Sequence, residues 1–362
     1  MARIEFRNLG HAYSGRPASL KDYALQPMNM VWEDGGAYAL LGPSGCGKST
    51  LLNIISGLLQ PSEGQVLFDG VDMTRMATRD RNIAQVFQFP VLYDTMSVFD
   101  NLAFPLRNRK MAEREVQARV HEIAEMLDLS RDLKQRAAGL SADAKQKISL
   151  GRGLVRKDVA AILFDEPLTV IDPHMKWELR QKLKEIHHQL KLTLIYVTHD
   201  QVEALTFADE VVVMTEGKVV QQGQPEALFL RPDHTFVGYF IGSPGMNFCP
   251  LSIEGDAVMI GRQRVQVEPS QLQALKNANG ELKLGIRPEF VDLAAAGSPG
   301  AVNAEITQVQ HLGTSQLVTA QVEGMSIKAR VAPETRVAVG PQWLSLAGAQ
   351  TIYFSNDQRI GR

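Results

Sequence analysis

The chain is poor in cysteine, with 2 in 362 residues. Two thiols cannot form a disulfide framework, so a reducing compartment is expected. It also lacks an excess of either charge: 38 Lys and Arg stand against 40 Asp and Glu, a formal net charge of -2. That balance argues against a nucleic-acid binder held by bulk electrostatics, while leaving room for a local basic patch. No stretch reaches the ~18 apolar residues that a membrane span needs. The first residues, Met1-Ala2-Arg3-Ile4-Glu5-Phe6, turn acidic at once and hold no apolar signal region. We therefore expect a chain that is neither secreted nor integral to a bilayer, yet free to dock on a membrane protein. Tandem repeats and low-complexity segments are missing too.

What is present is ordinary globular material. Hydrophobic residues make up 44% and charged residues 22%, and the length allows two domains with cores of their own. Tyr38–Leu41, Ala84–Phe87, Ala160–Phe164, Leu194–Val197 and Val211–Met214 are continuous apolar runs, which suit strands covered on both faces. Between them, Val116, Val120, Ile123 and Leu127 share one helical face, as do Leu179, Leu183, Ile186 and Leu190. This alternation predicts a mostly parallel α/β sheet. Asp69-Gly70 and Glu216-Gly217 carry hairpin signals at its margins. Gly242-Ser243-Pro244-Gly245 reads as a linker. Beyond it strand-like alternation dominates, with one helical stretch around Gln271–Leu275, so a small β-barrel or sandwich is expected.

The run Gly42-Pro43-Ser44-Gly45-Cys46-Gly47-Lys48-Ser49-Thr50 follows the strand ending at Leu41 and opens a helix. It satisfies G-x-x-x-x-G-K-[ST] in the strand–loop–helix context that the motif requires. Glycines let successive N–H groups turn inward around an anion, and the helix N-terminus adds partial positive charge. The whole run is expected to hold a nucleotide, with Lys48 on the outer phosphates and Ser49 offering an oxygen to Mg²⁺. A second anchor is the apolar strand ending in Asp165-Glu166. Asp165 is placed to hold Mg²⁺ and Glu166 to polarise an attacking water. Alone, such a strand end usually means only that a strand meets solvent; beside a phosphate loop it becomes specific.

With these elements in this order, the chain resembles the ATP-binding subunits of ABC transporters along nearly its whole length. The resemblance implies an α/β P-loop NTPase with a RecA-like core, an antiparallel β subdomain and a helical insertion. That domain is expected over 1–242, with the insertion at about 90–155, and an OB-like, TOBE-type β domain over 246–362. The resemblance places Tyr13 as the aromatic that stacks on adenine and Gln88 at the Q-loop, contacting Mg²⁺. Ser141, in Leu140-Ser141, begins the signature segment, Asp172 occupies the D-loop, and His199 is the switch histidine near the γ-phosphate. Each has a plain alternative taken singly: Tyr13 as a core tyrosine, Gln88 capping a strand end, His199 structural. The remaining histidines lack metal-ligand spacing and are read as surface or packing residues. Cys46 is read as a small space-filler.

Within the family the chain looks most like importers of carbohydrates and polyols. Leu284-Gly285-Ile286-Arg287-Pro288-Glu289 is similar to a motif of their C-terminal domain. The run Phe164–Trp177 and the segment Ser243–Phe248 look like glycerol-importer ATPases. The resemblance implies ATP and Mg²⁺ as ligands and two transmembrane permease subunits as partners, with no nucleic acid. It also implies a second ATPase subunit and, indirectly, a solute-binding protein. The expected location is the cytoplasmic face of the cell membrane, peripherally bound. Phe89-Pro90-Val91-Leu92-Tyr93 would offer the permease an apolar docking surface, or else is simple packing.

One segment departs from the pattern. Where the family reads L-S-G-G-Q, this chain has Leu140-Ser141-Ala142-Asp143-Ala144. A carboxylate about 6 Å from a phosphate charge costs roughly 2–3 kcal/mol at an effective dielectric near 20. That motivates a non-identical partner ATPase. A homodimer that tolerates the change, with Lys145 and Lys147 offsetting the charge, is the alternative. A homodimeric ATPase of another carbohydrate or glycerol-phosphate importer, or a regulatory ABC ATPase outside transport, also remains open.

Overall fold

The five apolar runs expected as strands all form strands, and they lie in one sheet. The computed structural model describes residues 1–362 apart from 16, 170 and 362. Val170, in the expected D-loop, lies outside the described residues. The chain divides into two compact units, Met1–Pro225 and Glu226–Arg362.

The first unit holds β1 (Ile4–His11), β2 (Leu25–Trp32), β3 (Ala37–Leu41), β4 (Glu63–Phe68), β5 (Val71–Asp72) and β6 (Ile83–Val86), then β7 (Ala161–Asp165), β8 (Leu194–Thr198), β9 (Glu210–Thr215) and β10 (Lys218–Gly223). Six of them form a sheet in the order β10-β9-β3-β8-β7-β6. Its pairs are parallel except the β9–β10 hairpin. All five residues of β3 and of β8 are buried, as strands covered on both faces must be. A second, antiparallel sheet runs β2-β1-β4-β5. Its Phe6, Trp32 and Phe68 share one core with Tyr38, Leu40, Leu163 and Ile195 of the parallel sheet.

Six helices accompany these strands: α1 (Lys48–Ser56), α2 (Val98–Arg107), α3 (Glu113–Met126), α4 (Ala142–Leu154), α5 (Pro173–Leu190) and α6 (Gln201–Phe207). The expected apolar faces are the buried ones, Val116, Val120 and Ile123 on α3 and Leu179, Leu183 and Ile186 on α5. In the insertion, α2, α3 and α4 bury Leu102, Leu106, Ile148 and Leu150 as well.

The second unit opens with α7 (Pro225–Leu230) and α8 (Thr235–Phe240), and a further helix, α9 (Pro269–Asn277), covers the predicted helical stretch. Its strands make two antiparallel sheets of six and five strands. They share a core that includes Cys249, Leu284, Ile286, Val302, Val318, Leu344 and Tyr353. The segment 242–245, read from the sequence as a linker, lies inside this unit, where the Met246 N–H donates to the Gly238 carbonyl at 3.0 Å.

Three buried arginines do a job that the sequence did not announce: each closes the C-terminal end of one or more helices. Arg81 donates to the Ile54 and Ile55 carbonyls of α1 at 2.6 and 3.0 Å. Arg119 donates to Leu154 and Val155 at the end of α4. Arg287 donates to Phe229 at the end of α7 and to Gly238 and Ile241 at the end of α8. Last-turn carbonyls have no partner within their helix and carry partial negative charge, so a buried guanidinium satisfies both needs. Burial pushes Arg287 down to about 10. Its guanidinium also lies 4.0 Å from the Phe229 ring centroid.

Candidate nucleotide site

Strand register decides which chain turns meet. Leu41 at the end of β3 lies beside Thr198 at the end of β8. Asp165 of β7 lies beside Val197, and Phe164 beside Val86 of β6. The carboxyl ends of four parallel strands therefore deliver the phosphate loop, His199, Asp165-Glu166 and Gln88 to one edge of the sheet. In open α/β sheets this edge is where ligands bind.

The loop between β3 and α1 is shaped by its glycines. Gly47 is the N-cap of α1 with φ +101°, and a Cβ there would stand 2.5 Å from the Ala24 carbonyl oxygen. A Cβ on Gly42 would overlap the Met214 carbonyl oxygen. Lys48 is only 6% exposed. Its Nζ donates to the Gly42 and Pro43 carbonyls at 2.8 and 2.9 Å and approaches Cys46 Sγ at 3.7 Å. The Cys46 thiol is buried, and burial pushes its pKa up, partly opposed by Lys48. Pro43, Ser44, Gly45 and Ser49 are exposed, whereas Thr50 is buried.

Tyr13 is 67% exposed, so it is not a core tyrosine. Its hydroxyl lies 3.2 Å from Thr50 Oγ1, which ties it to α1, and its ring stands edge-on to His11 with centroids 4.6 Å apart. A flat, open aromatic face beside the phosphate loop is the arrangement that stacking on a base requires.

Across the edge stand the two carboxylates. Burial raises the Asp165 pKa above the ordinary carboxylate value, Glu166 adds to the rise, and Lys48 opposes it. Glu166 has φ +47°, an uncommon conformation for a side chain of this kind. Its N–H donates to the Val197 carbonyl at 2.9 Å, which fixes that turn against β8. Glu166 Oε1 lies 3.2 Å from His199 Nδ1, and Oε2 accepts from the Thr169 hydroxyl at 3.3 Å. Gln88 is half-buried two residues beyond β6.

Ser141 and Asp172 serve as helix caps. Ser141 Oγ accepts from the Ala144 N–H at the start of α4, and Asp172 Oδ1 from the His174 N–H at the start of α5. Ser141, Ala142 and Asp172 are all exposed. Asp143 pairs with Lys147 one helical turn on, at 3.7 Å, while Lys145 pairs with Asp94 at 2.9 Å. Buried Gln146 joins α4 to the turn after Glu166, donating from Nε2 to the Pro167 carbonyl at 2.5 Å.

Sequence reasoning passed over Glu203. It is buried on α6 and accepts from the hydroxyls of Tyr196 and Thr198, on either side of Val197. Its signal was a carboxylate four residues after His199, on a short helix otherwise rich in apolar residues.

Comparison with known proteins identifies the family. The ABC transporter family profile matches residues 25–169, the MalK OB fold domain profile 242–291, and the TOBE domain profile 284–354. The chain is 38% identical over 319 residues to the sn-glycerol-3-phosphate import ATP-binding protein UgpC of Bordetella avium, covering 88% of this chain and 85% of that protein. It is 39% identical over 333 residues to the trehalose/maltose import ATP-binding protein MalK of Thermococcus litoralis, covering 88% and 89%. Among solved structures, cbiO1 of Clostridium perfringens, part of the ABC transporter complex cbiONQ, superposes with a TM-score of 0.58 at 30% identity. That match covers 63% of this chain and 90% of cbiO1.

Proposed function

Since this chain belongs to the ABC transporter ATPases, with C-terminal domains of the MalK OB and TOBE kinds, we propose that it powers import of a small polyol or sugar, glycerol foremost, through a permease pair. The observation that carries the reading is the convergence of Lys48, Asp165, Glu166 and His199 on one sheet edge. Support for the cargo comes from likeness alone, because no residue of this chain is expected to touch it. Two relatives are named for sn-glycerol-3-phosphate and for trehalose and maltose, which brackets the chemical class.

The proposed chemistry follows from the residues. The phosphate loop holds the triphosphate in its ring of N–H groups, and Lys48 exchanges its two carbonyl partners for phosphate oxygens. Tyr13 stacks on the base. Ser49, Gln88 and Asp165 form an oxygen-donor set that fits Mg²⁺, which when bound neutralises phosphate charge. Glu166 orients a water toward the γ-phosphorus, and His199, already beside Glu166, sits where it can bond the γ-phosphate oxygens. ATP binding draws two ATPase subunits together and hydrolysis releases them, shifting the permease between its two faces.

Among the described residues no helix is long and apolar enough to cross a membrane. The proposed place of work, by likeness to the import ATPases, is peripheral, at the cytoplasmic face. The proposed permease dock is the groove lined by Phe87, Val91, Phe104, Arg109, Arg152 and Arg156. Phe87 and Val91 are exposed in that groove, and Phe89 and Tyr93 of the same segment are exposed as well.

The partner ATPase is proposed to be a different chain, because Asp143 would face its nucleotide. Lys147 beside Asp143 favours the homodimer alternative by offsetting that charge. Both proposals meet one experiment. The chain is expressed with its permease pair, with and without a second ATPase, and assayed in vesicles for ATP-driven uptake of glycerol, sn-glycerol-3-phosphate and maltose. Glycerol uptake only with the second ATPase is expected. Full uptake without it would end the heterodimer, and uptake of another solute alone would end the glycerol assignment.

A further inference from the structure

His199 is an open member of the site, with its side chain 57% exposed. Little packing holds it, so its direction depends on the backbone either side. That backbone is pinned by one hydroxyl. Thr198 is buried, and its Oγ1 accepts from the Asp200 N–H at 3.0 Å, spanning His199. The same oxygen donates its proton to Glu203 Oε2 at 2.9 Å. With the proton committed to Glu203, the lone pairs of the hydroxyl are left to face Asp200. Asp200 in turn caps α6, its Oδ1 accepting from the Val202 and Glu203 N–H groups.

Glu203 is 3% exposed, a position where a carboxylate needs several partners. It has them: the Thr198 hydroxyl, the Tyr196 hydroxyl at 3.0 Å, and Lys176 Nζ 3.6 Å from Oε1. Lys176 lies in the first turn of α5, whose N-cap is Asp172. One carboxylate thus joins the end of β8, the start of α6 and the start of α5.

We propose that Thr198 and Glu203 are positioning residues for His199, fixing its approach to the γ-phosphate and linking it to the turn at Asp172. This rests on the reading of His199 given above. Both side chains being buried, the pair acts through the direction it imposes on the imidazole. Small misplacement of a reacting group is enough to cost a large factor in rate.

The test uses the full chain in its membrane complex, measuring kcat, KM for ATP and thermal midpoint for Thr198→Val, Thr198→Ser, His199→Ala and the Thr198→Val/His199→Ala double variant. Thr198→Val should lower kcat roughly tenfold or more, leave KM within about twofold, and be rescued by Thr198→Ser, which keeps the hydroxyl. In the double variant the residual single-turnover rate should equal that of His199→Ala, because a positioning residue has nothing left to position. A Thr198→Val enzyme within twofold of the parent, or losses that multiply in the double variant, would overturn the proposal. Should Thr198→Val fail to fold, Lys176→Met replaces it, with a smaller kcat loss and the same non-additivity expected; multiplying losses there would equally overturn it. Full turnover by His199→Ala alone would instead remove the reading of His199, and the positioning role with it.

Discussion

His199 Nδ1 stands 3.2 Å from Glu166 Oε1, while the Thr169 hydroxyl holds the other carboxylate oxygen. The proposed base is therefore aimed from both sides, on a backbone already turned to φ +47°. Glu166→Gln keeps the shape and the neighbours but cannot take a proton. Hydrolysis should fall by about 10²–10⁴-fold while ATP stays bound. Filter retention of labelled ATP, with nucleotide-dependent dimers on a sizing column, checks both halves. Turnover within tenfold of the parent would discount Glu166 as the base.

Lys48 presents a simpler case. Its ammonium rests on two loop carbonyls, which in the proposed reading it trades for phosphate oxygens. Lys48→Ala should weaken ATP binding by about 2 kcal/mol or more, as when one partner of a desolvated charge pair is truncated. A fluorescent nucleotide titration reads this directly, with circular dichroism as the control for folding. Unchanged affinity would refute the phosphate-loop assignment.

Asp165 sets function against stability. Burial, aided by Glu166, raises its pKa in the folded state above the ordinary value of 3.8. The folded carboxyl therefore holds its proton to higher pH than the unfolded one. Its contribution to stability is greatest below 3.8 and is lost as pH rises through the folded value. At pH 7 the charged Asp165 is a net burden on the fold. Asp165→Asn should accordingly raise the thermal midpoint at pH 7, by about 2 °C, with a smaller gain at pH 5. The same variant should lose Mg²⁺-dependent hydrolysis. A midpoint that falls at pH 7 would show that Asp165 is held by a favourable partner, contrary to this account.

Much of this molecule is legible in its sequence because the strongest signals are local. A fully buried parallel strand must be apolar at every position, so β3, β7, β8 and β9 stand out before any pairing is known. The phosphate loop is equally local, since its glycines are demanded by backbone geometry. Relations across long separations left no such mark. Arg81 lies 27 residues from Ile54, whose carbonyl it meets, and Arg287 lies 46 from Ile241; an arginine that caps a distant helix looks like any surface arginine. Asp172 and Ser141 were legible as motif positions, but their capping was not. The short helices α7 and α8 left no such mark either, because their anchor, Arg287, lies far downstream.

The Arg81 clamp predicts that the phosphate-loop helix is held from its rear. Arg81→Met preserves much of the volume but leaves the carbonyls of Ile54, Ile55, Thr74 and Met76 without their guanidinium. Loss of this buried network should destabilise the first unit by about 3 kcal/mol, measured by urea unfolding. Arg81→Lys should recover only part of it, since a single ammonium cannot reproduce the planar fork. Equal stability of the Arg81→Lys variant and the parent chain would mean that charge alone, and not the fork, closes α1.

The signature segment decides whether one chain or two make the working ATPase pair. In the proposed arrangement an uncompensated Asp143 would oppose closure on a partner's ATP by roughly 2–3 kcal/mol, about a hundredfold. Lys147 at 3.7 Å returns part of that, and the pair is half-buried rather than fully wet, so the attraction is not wholly screened. The two effects can be separated on a Glu166→Gln background, where ATP-bound dimers should persist. Adding Asp143→Gly should tighten self-association, measured by sedimentation, by at least about tenfold if the carboxylate is the obstacle. Lys147→Met should loosen it by exposing the charge. Were Asp143→Gly to leave the dimer constant unchanged, Lys147 would already have cancelled the repulsion, and a pair of identical chains would close on ATP unaided.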